Sequence, residues 1–220
     1  MKVVIFAAVL ASAFAQLAFA TSELQFISGT NTLVVAGIGS TVTYSNTNFD
    51  GWDISIVFGA SNSPGLSGVN GNFGIDASIL AACTDQTCSS NPLDIFLSDT
   101  GFTQEVNAGG FSTVFSTTQY GGTTDQLSWD TTADTIFGKG TLIGELGTFT
   151  GSGVGSVSGG GPAGPSPYSL TIETTFNGSG GSASFSTNGY TTATPEPNPW
   201  VLCGIGLALC AAALRRRRLS

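Results

Sequence analysis

The segment YSLTIETTF, residues 168–176, sets the strictest limit on what this chain can fold into. Tyr168, Leu170, Ile172, Thr174 and Phe176 fall on one side of an extended backbone, and Ser169, Thr171, Glu173 and Thr175 on the other. Side chains alternate across a strand, so the pattern predicts one packed face and one face in water. Such a strand is not stable alone and needs a second layer over its apolar side. Shorter β-rich runs at 41–45, 53–58, 94–97, 111–118 and 183–186 are separated by turn signals: Asn70-Gly71, Ser98-Asp99-Thr100-Gly101, Gly121-Gly122 and Asn177-Gly178. This spacing predicts an all-β chain forming a single β-sandwich, jelly-roll or immunoglobulin-like. The GSGG turn followed by ASFS makes residues 168–187 read as a hairpin closing the domain.

Composition agrees, with 31 Gly and only 9% charged residues favouring short strands and tight turns over helices. A chain of 220 residues has room for one domain with targeting segments. The Gly-rich stretch 151–167 reads as a strand followed by a loop over 159–167, because residues 168–187 are too few to stand as a separate unit. Residues 21–194 carry thirteen acids against the single base Lys139, a formal charge of −12. Nucleic acid, which demands a basic footprint, is thereby excluded as a partner.

The two ends read as targeting segments. Residues 1–20 join Lys2 to an apolar stretch and end in Ala18-Phe19-Ala20, which predicts export through the Sec translocon and cleavage by signal peptidase between Ala20 and Thr21. The β-sandwich domain is expected over 21–190, followed by a Pro-rich linker over 191–199. Residues 200–214 form an uncharged run that as a helix reaches about 22 Å, short of a hydrocarbon core of roughly 30 Å. Trp200 suits the outer interface, and Arg215, Arg216, Arg217 and Arg218 act as a stop-transfer signal, leaving 215–220 as a cytoplasmic tail. A short transmembrane helix with the body outside is the expected topology.

The order of Pro195-Glu196-Pro197, a short apolar helix and a terminal arginine cluster resembles the PEP-CTERM sorting signal of bacterial surface proteins. LSDTGFT (97–103) and PYSLTIETTF (167–176) are also similar to stretches found in the bodies of such proteins. The resemblance implies recognition by an exosortase, a polytopic membrane cysteine protease-transpeptidase, in a bacterium making extracellular polysaccharide. It further implies an inner-membrane-anchored precursor with a periplasmic body, then a destination at the cell surface or in the extracellular matrix. A GPI signal is the poorer match, since terminal arginines do not suit a tail that must clear the membrane.

Catalytic chemistry finds few parts in this chain. Without a histidine, Ser-His-Asp, Cys-His and His-ligated metal sites are excluded. Two carboxylate pairs, Asp50 with Asp53 and Asp125 with Asp130, remain as candidates for glycoside hydrolysis, although acids beside Gly and Trp ordinarily belong to turns. Asn46, Asn48, Asp50 and Gly51 match the start of a calcium loop, but Val57 stands where a bidentate Glu is required, so turn chemistry is the reading. Cys83 and Cys88 in CTDQTC are expected to form a disulfide outside the cytoplasm, contributing about 2 kcal/mol for so small a ring. Neither a metal nor a cofactor is expected. Cys203 and Cys210 read as small apolar residues of the tail helix. Trp52 and Trp129 are the candidates for a sugar-stacking surface, although a Trp beside strand residues more often belongs to the core. The expected function is that of a non-enzymatic secreted, surface or matrix protein, with a carbohydrate-binding module acting on extracellular polysaccharide as the alternative and a carboxylate glycosidase as the third reading.

Overall fold

The computed structural model describes residues 21–63, 74–103, 110–160, 167–179 and 182–193. The described strands are β1 (Glu23–Ser28), β2 (Asn31–Ala36), β3 (Thr41–Phe49), β4 (Trp52–Ser61), β5 (Gly74–Cys83), β6 (Leu93–Phe102), β7 (Phe111–Tyr120), β8 (Gly122–Thr131), β9 (Thr141–Phe149), β10 (Gly153–Gly159), β11 (Tyr168–Gly178) and β12 (Ala183–Ala193). A one-turn helix, α1 (Thr87–Ser90), separates β5 from β6. The strands form two antiparallel six-stranded sheets, β2-β1-β6-β11-β8-β9 and β10-β7-β12-β5-β4-β3. Their inner faces share one hydrophobic core, which makes the molecule a β-sandwich.

The winding follows from four pairings: β5 with β12, β6 with β11, β7 with β10 and β8 with β9. Together they make one long hairpin with its tip at β8–β9, bent so that its arms pass between the sheets, as in a jelly roll. The β1–β2 hairpin widens the first sheet and β3–β4 widens the second. At Gly121, φ +72°, the chain crosses from β7 in one sheet to β8 in the other, and a side chain there would strike the Ser182 carbonyl.

The expected hairpin over 168–187 is not formed, because β11 and β12 lie in different sheets. The expected packing face of β11 is buried throughout. Its other face is less exposed than alternation predicts. Ser169 and Thr171 are buried beside the 132–140 connection, where Ser169 Oγ donates to Thr135 O at 2.9 Å and the Phe137 amide donates to Ser98 Oγ at 2.9 Å. Ser98-Asp99-Thr100-Gly101, expected as a turn, lies within β6 as a bulge opposite Tyr168 and Leu170. Thr191, Thr192 and Ala193, assigned above to the linker, continue β12, and Thr191 is fully buried. Asn177 and Gly178 complete β11, while Asn70-Gly71 lies outside the described residues.

The disulfide is present, joining the end of β5 to α1 with Cα atoms 5.6 Å apart. Beside it, Trp52 Nε1 donates to Asn91 O at 3.0 Å, and Asp50 Oδ2 accepts from Ser28 Oγ at 3.0 Å and Asn91 Nδ2 at 2.9 Å. The loops at this pole are thus tied to one another and to the core.

A polar seam runs through the interior. Thr191 Oγ1 donates to Ser128 Oγ at 2.8 Å and shares a 2.9 Å hydrogen bond with Thr113 Oγ1, linking the two sheets. Nearby, Gln126 is fully buried against Gly189, where no Cβ could be accommodated, and neither atom of its amide has a hydrogen-bond partner in the structure. An unsatisfied buried amide costs stability that an apolar side chain of similar volume does not. Gln126→Met should therefore stabilise the protein by on the order of 1 kcal/mol, read as a higher urea midpoint at unchanged slope. A lower midpoint would show that this amide is satisfied in solution.

Candidate functional site

The outer faces of the two sheets differ in charge. On the first, strand register places Glu23, Asp94, Glu173, Asp125 and Glu145 outward. Lys139, the one base among the described residues, reaches this face from the 132–140 connection. Its Nζ lies 2.8 Å from Glu173 Oε2 and 2.9 Å from Oε1, and 4.8 Å from the centre of the Phe96 ring. Trp129 lies beside this cluster, with Lys139 Nζ 5.9 Å from its ring and its Nε1 donating to Glu173 Oε2 at 3.4 Å. The cluster is a satisfied ion pair over aromatic rings, with the guests of both charges supplied by the protein itself.

The second sheet's outer face carries two carboxylates, Asp53 and Asp76, and its groove is lined by uncharged residues. Phe58, Ser78, Asn188, Ser116 and Val154 form one row across β4, β5, β12, β7 and β10, and Asp76, Tyr190, Val114 and Ser156 form part of the next. Adjacent strands stand about 4.8 Å apart, so the five-strand row spans roughly 19 Å. An open groove of about 680 Å³ lies over its β5, β12, β7 and β10 portion, bordered by Ser78, Leu80, Ser116, Thr118, Val154 and Asn188. Asn188 Nδ2 donates to Ser78 Oγ at 3.2 Å and Ser116 Oγ donates to Asn188 O at 3.4 Å, so neighbouring strands share the floor. Next to the groove, a hollow of about 300 Å³ is lined by Asn62, Asp76, Tyr190 and Thr192. Tyr190 is 39% exposed and Phe58 38%, which leaves aromatic surface at the margin of a floor of hydroxyls and an amide.

Several residues singled out by sequence fall elsewhere. Trp52 is completely buried against Phe176 and Phe185, so it is a core residue and not a sugar platform. Trp129 is half-buried on the acidic sheet, away from the groove. Asp125 and Asp130 lie on opposite faces of β8, Asp125 outward and Asp130 inward, and do not form a catalytic pair. Asp50 is held by Ser28 and Asn91, whereas Asp53 borders a separate surface hollow with Ser45, Asn46 and Thr47. Within the apparent calcium loop, the Asn48 amide donates to Asn46 Oδ1 at 2.9 Å and Val57 is buried, which is turn chemistry. Among the described residues no group of three or more His, Cys, Asp or Glu is placed to hold a metal ion, and no helix is long and apolar enough to cross a membrane. Thr21 is exposed just before β1; Ala20, Pro195, Glu196, Pro197, the four arginines, Cys203 and Cys210 lie outside the described residues.

The groove residues carry no catalytic signature, and sequence reasoning passed over them. Their one signal is the alternation in ASFSTNGYTTA, where Ser184, Ser186, Asn188 and Tyr190 face outward between buried Phe185, Thr187 and Gly189.

No family model matches the chain, and no curated protein matches it. Among solved structures, the chain resembles TmCBM61, solved in complex with beta-1,4-galactotriose, at 14% identity and a TM-score of 0.35, with 65% of this chain and 88% of that one covered.

Several carboxyls are shifted in one direction. Burial raises Asp99, Asp130, Asp94 and Asp76 above the ordinary carboxylate value, outweighing the hydrogen bonds that Asp99 accepts from Ser61, Thr100 and Ser22. A raised carboxyl binds its proton more tightly in the folded state. Its contribution to stability is therefore full below the unfolded value, about 3.9, and is lost as pH rises through the folded one. The protein should melt at a higher temperature near pH 4 than at pH 7, and Asp99→Asn should flatten that dependence. Thermal scans across this range check the sign, and a steady fall in melting temperature on acidification would contradict it.

Proposed function

We propose that the protein is an exported, non-catalytic module that binds extracellular polysaccharide through the outer face of the second sheet, and that its C-terminal tail delivers it to the surface as an exosortase substrate. The observation that carries the binding reading is the groove itself: an open channel floored by Ser78, Ser116 and Asn188, with Tyr190 beside it. Hydroxyl and amide groups both donate and accept, as sugar hydroxyls do, and an exposed ring offers an apolar face to a pyranose. The non-catalytic part rests on the separation of both carboxylate pairs, which leaves neither pair facing a common cleft. The Cys83–Cys88 bridge suits an oxidising compartment.

Affinity electrophoresis through gels containing soluble polysaccharides tests the binding surface. Tyr190→Ala and Asn188→Ala should each weaken retardation about tenfold in apparent affinity, equivalent to about 1.4 kcal/mol, with unchanged circular dichroism. Retardation that survives both changes would move the ligand off this face.

The tail has its own test in a host that has an exosortase. Glu196→Ala should leave a membrane-held precursor, because the apolar run and the arginines that insert it are untouched. Deleting Arg215 to Arg218 should release unprocessed protein outward. Wild-type maturation of both variants would reduce the tail to an anchor.

A further inference from the structure

We infer that the groove on the second sheet selects an uncharged glycan lying across the strands and rejects polymers bearing carboxylate, phosphate or sulfate groups. This rests on the reading of that face as glycan-binding and narrows its ligand class.

The argument begins with the distribution of charge. An acidic polysaccharide presents an anion at each repeat, and a protein that holds it supplies Arg or Lys to replace the lost hydration. The groove supplies neither. Lys139, the one base among the described residues, lies on the other sheet, and Glu173 already holds it at 2.8 Å. The charged groups nearest the groove in strand register are carboxylates: Asp76 lies one row away, opposite Tyr190, and Asp53 stands farther along β4. A polyanion seated there would meet like charge at short range and the −12 field of the body at longer range.

The same geometry favours a neutral chain. Ser78, Asn188 and Ser116 stand opposite one another on β5, β12 and β7, so hydrogen-bonding groups recur at the strand spacing of about 4.8 Å. That interval is comparable to the advance of a pyranose chain per sugar, which places successive hydroxyls over successive strands. Tyr190 and Phe58 flank the row with partly exposed rings. Contacts of this kind respond little to salt.

The test uses the mature protein and defined polymers. Hydroxyethylcellulose, galactan and glucomannan serve as neutral probes, and polygalacturonate and alginate as acidic ones, each at low and high ionic strength. At least one neutral polymer should bind equally at both, the acidic polymers should not bind, and Asn188→Trp, which fills the groove, should abolish binding. A Ser116→Lys, Ser186→Lys double variant, altered on the outer face, should gain at least tenfold in affinity for polygalacturonate at low salt and lose that gain at high salt. Binding of an acidic polymer by the wild-type protein that Asn188→Trp abolishes would overturn the selectivity while leaving the face as the binding site. Binding that Asn188→Trp leaves intact, or no binding to any polymer, would overturn the face itself.

Discussion

The contact of Trp52, Phe176 and Phe185 holds the sandwich in register. Trp52 and Phe185 belong to the second sheet and Phe176 to the first, with ring centres 5.0 to 6.5 Å apart. Each such pair contributes roughly 0.5–1.5 kcal/mol beyond the area it buries. Its larger effect is positional. Phe176 and Phe185 lie on either side of the short crossing from β11 to β12, so anchoring both rings on one indole sets where β12 begins to run. Because side chains alternate, that setting turns Ser186, Asn188 and Tyr190 outward, and a slip of one residue would bury them. The groove depends on a core contact that none of its own side chains makes.

The same indole shows why a tryptophan in the sequence does not by itself mark a binding surface. Trp52 stands between a Gly and an Asp, neither of which signals how its ring is placed, and that ring is enclosed with its Nε1 satisfied by the Asn91 carbonyl. That carbonyl is brought into place by the turn that the disulfide closes, and such a long-range arrangement leaves no local trace in sequence. The disulfide was legible, because two cysteines five positions apart are near enough to meet.

Elements were legible where the apolar residues face the core. β11 and β7 show this pattern and were found. β8 inverts it: Thr124, Gln126, Ser128 and Asp130 point inward while Leu127 and Trp129 point outward. The hydroxyl links from Thr191 to Ser128 and Thr113 make polar residues acceptable inside, and alternation read as hydrophobic-in cannot anticipate that. The hairpin error has a related cause. Periodicity tells which residues share a face, but it does not say which sheet a strand joins, and a short glycine-rich connection serves a crossing as readily as a hairpin turn.

The segregation of charge between the two outer faces makes the molecule electrically one-sided. Five outward carboxylates against a single paired lysine give one sheet a lasting negative surface, whereas the groove region of the other carries none. In a crowded layer, copies turned acidic sheet to acidic sheet repel more strongly than those turned groove to groove, which bring only Asp53 and Asp76 of each sheet face together. Density alone would then bias their mutual orientation, with no protein–protein contact evolved for the purpose, and the narrow gaps left between paired molecules would be lined mainly by hydroxyl groups.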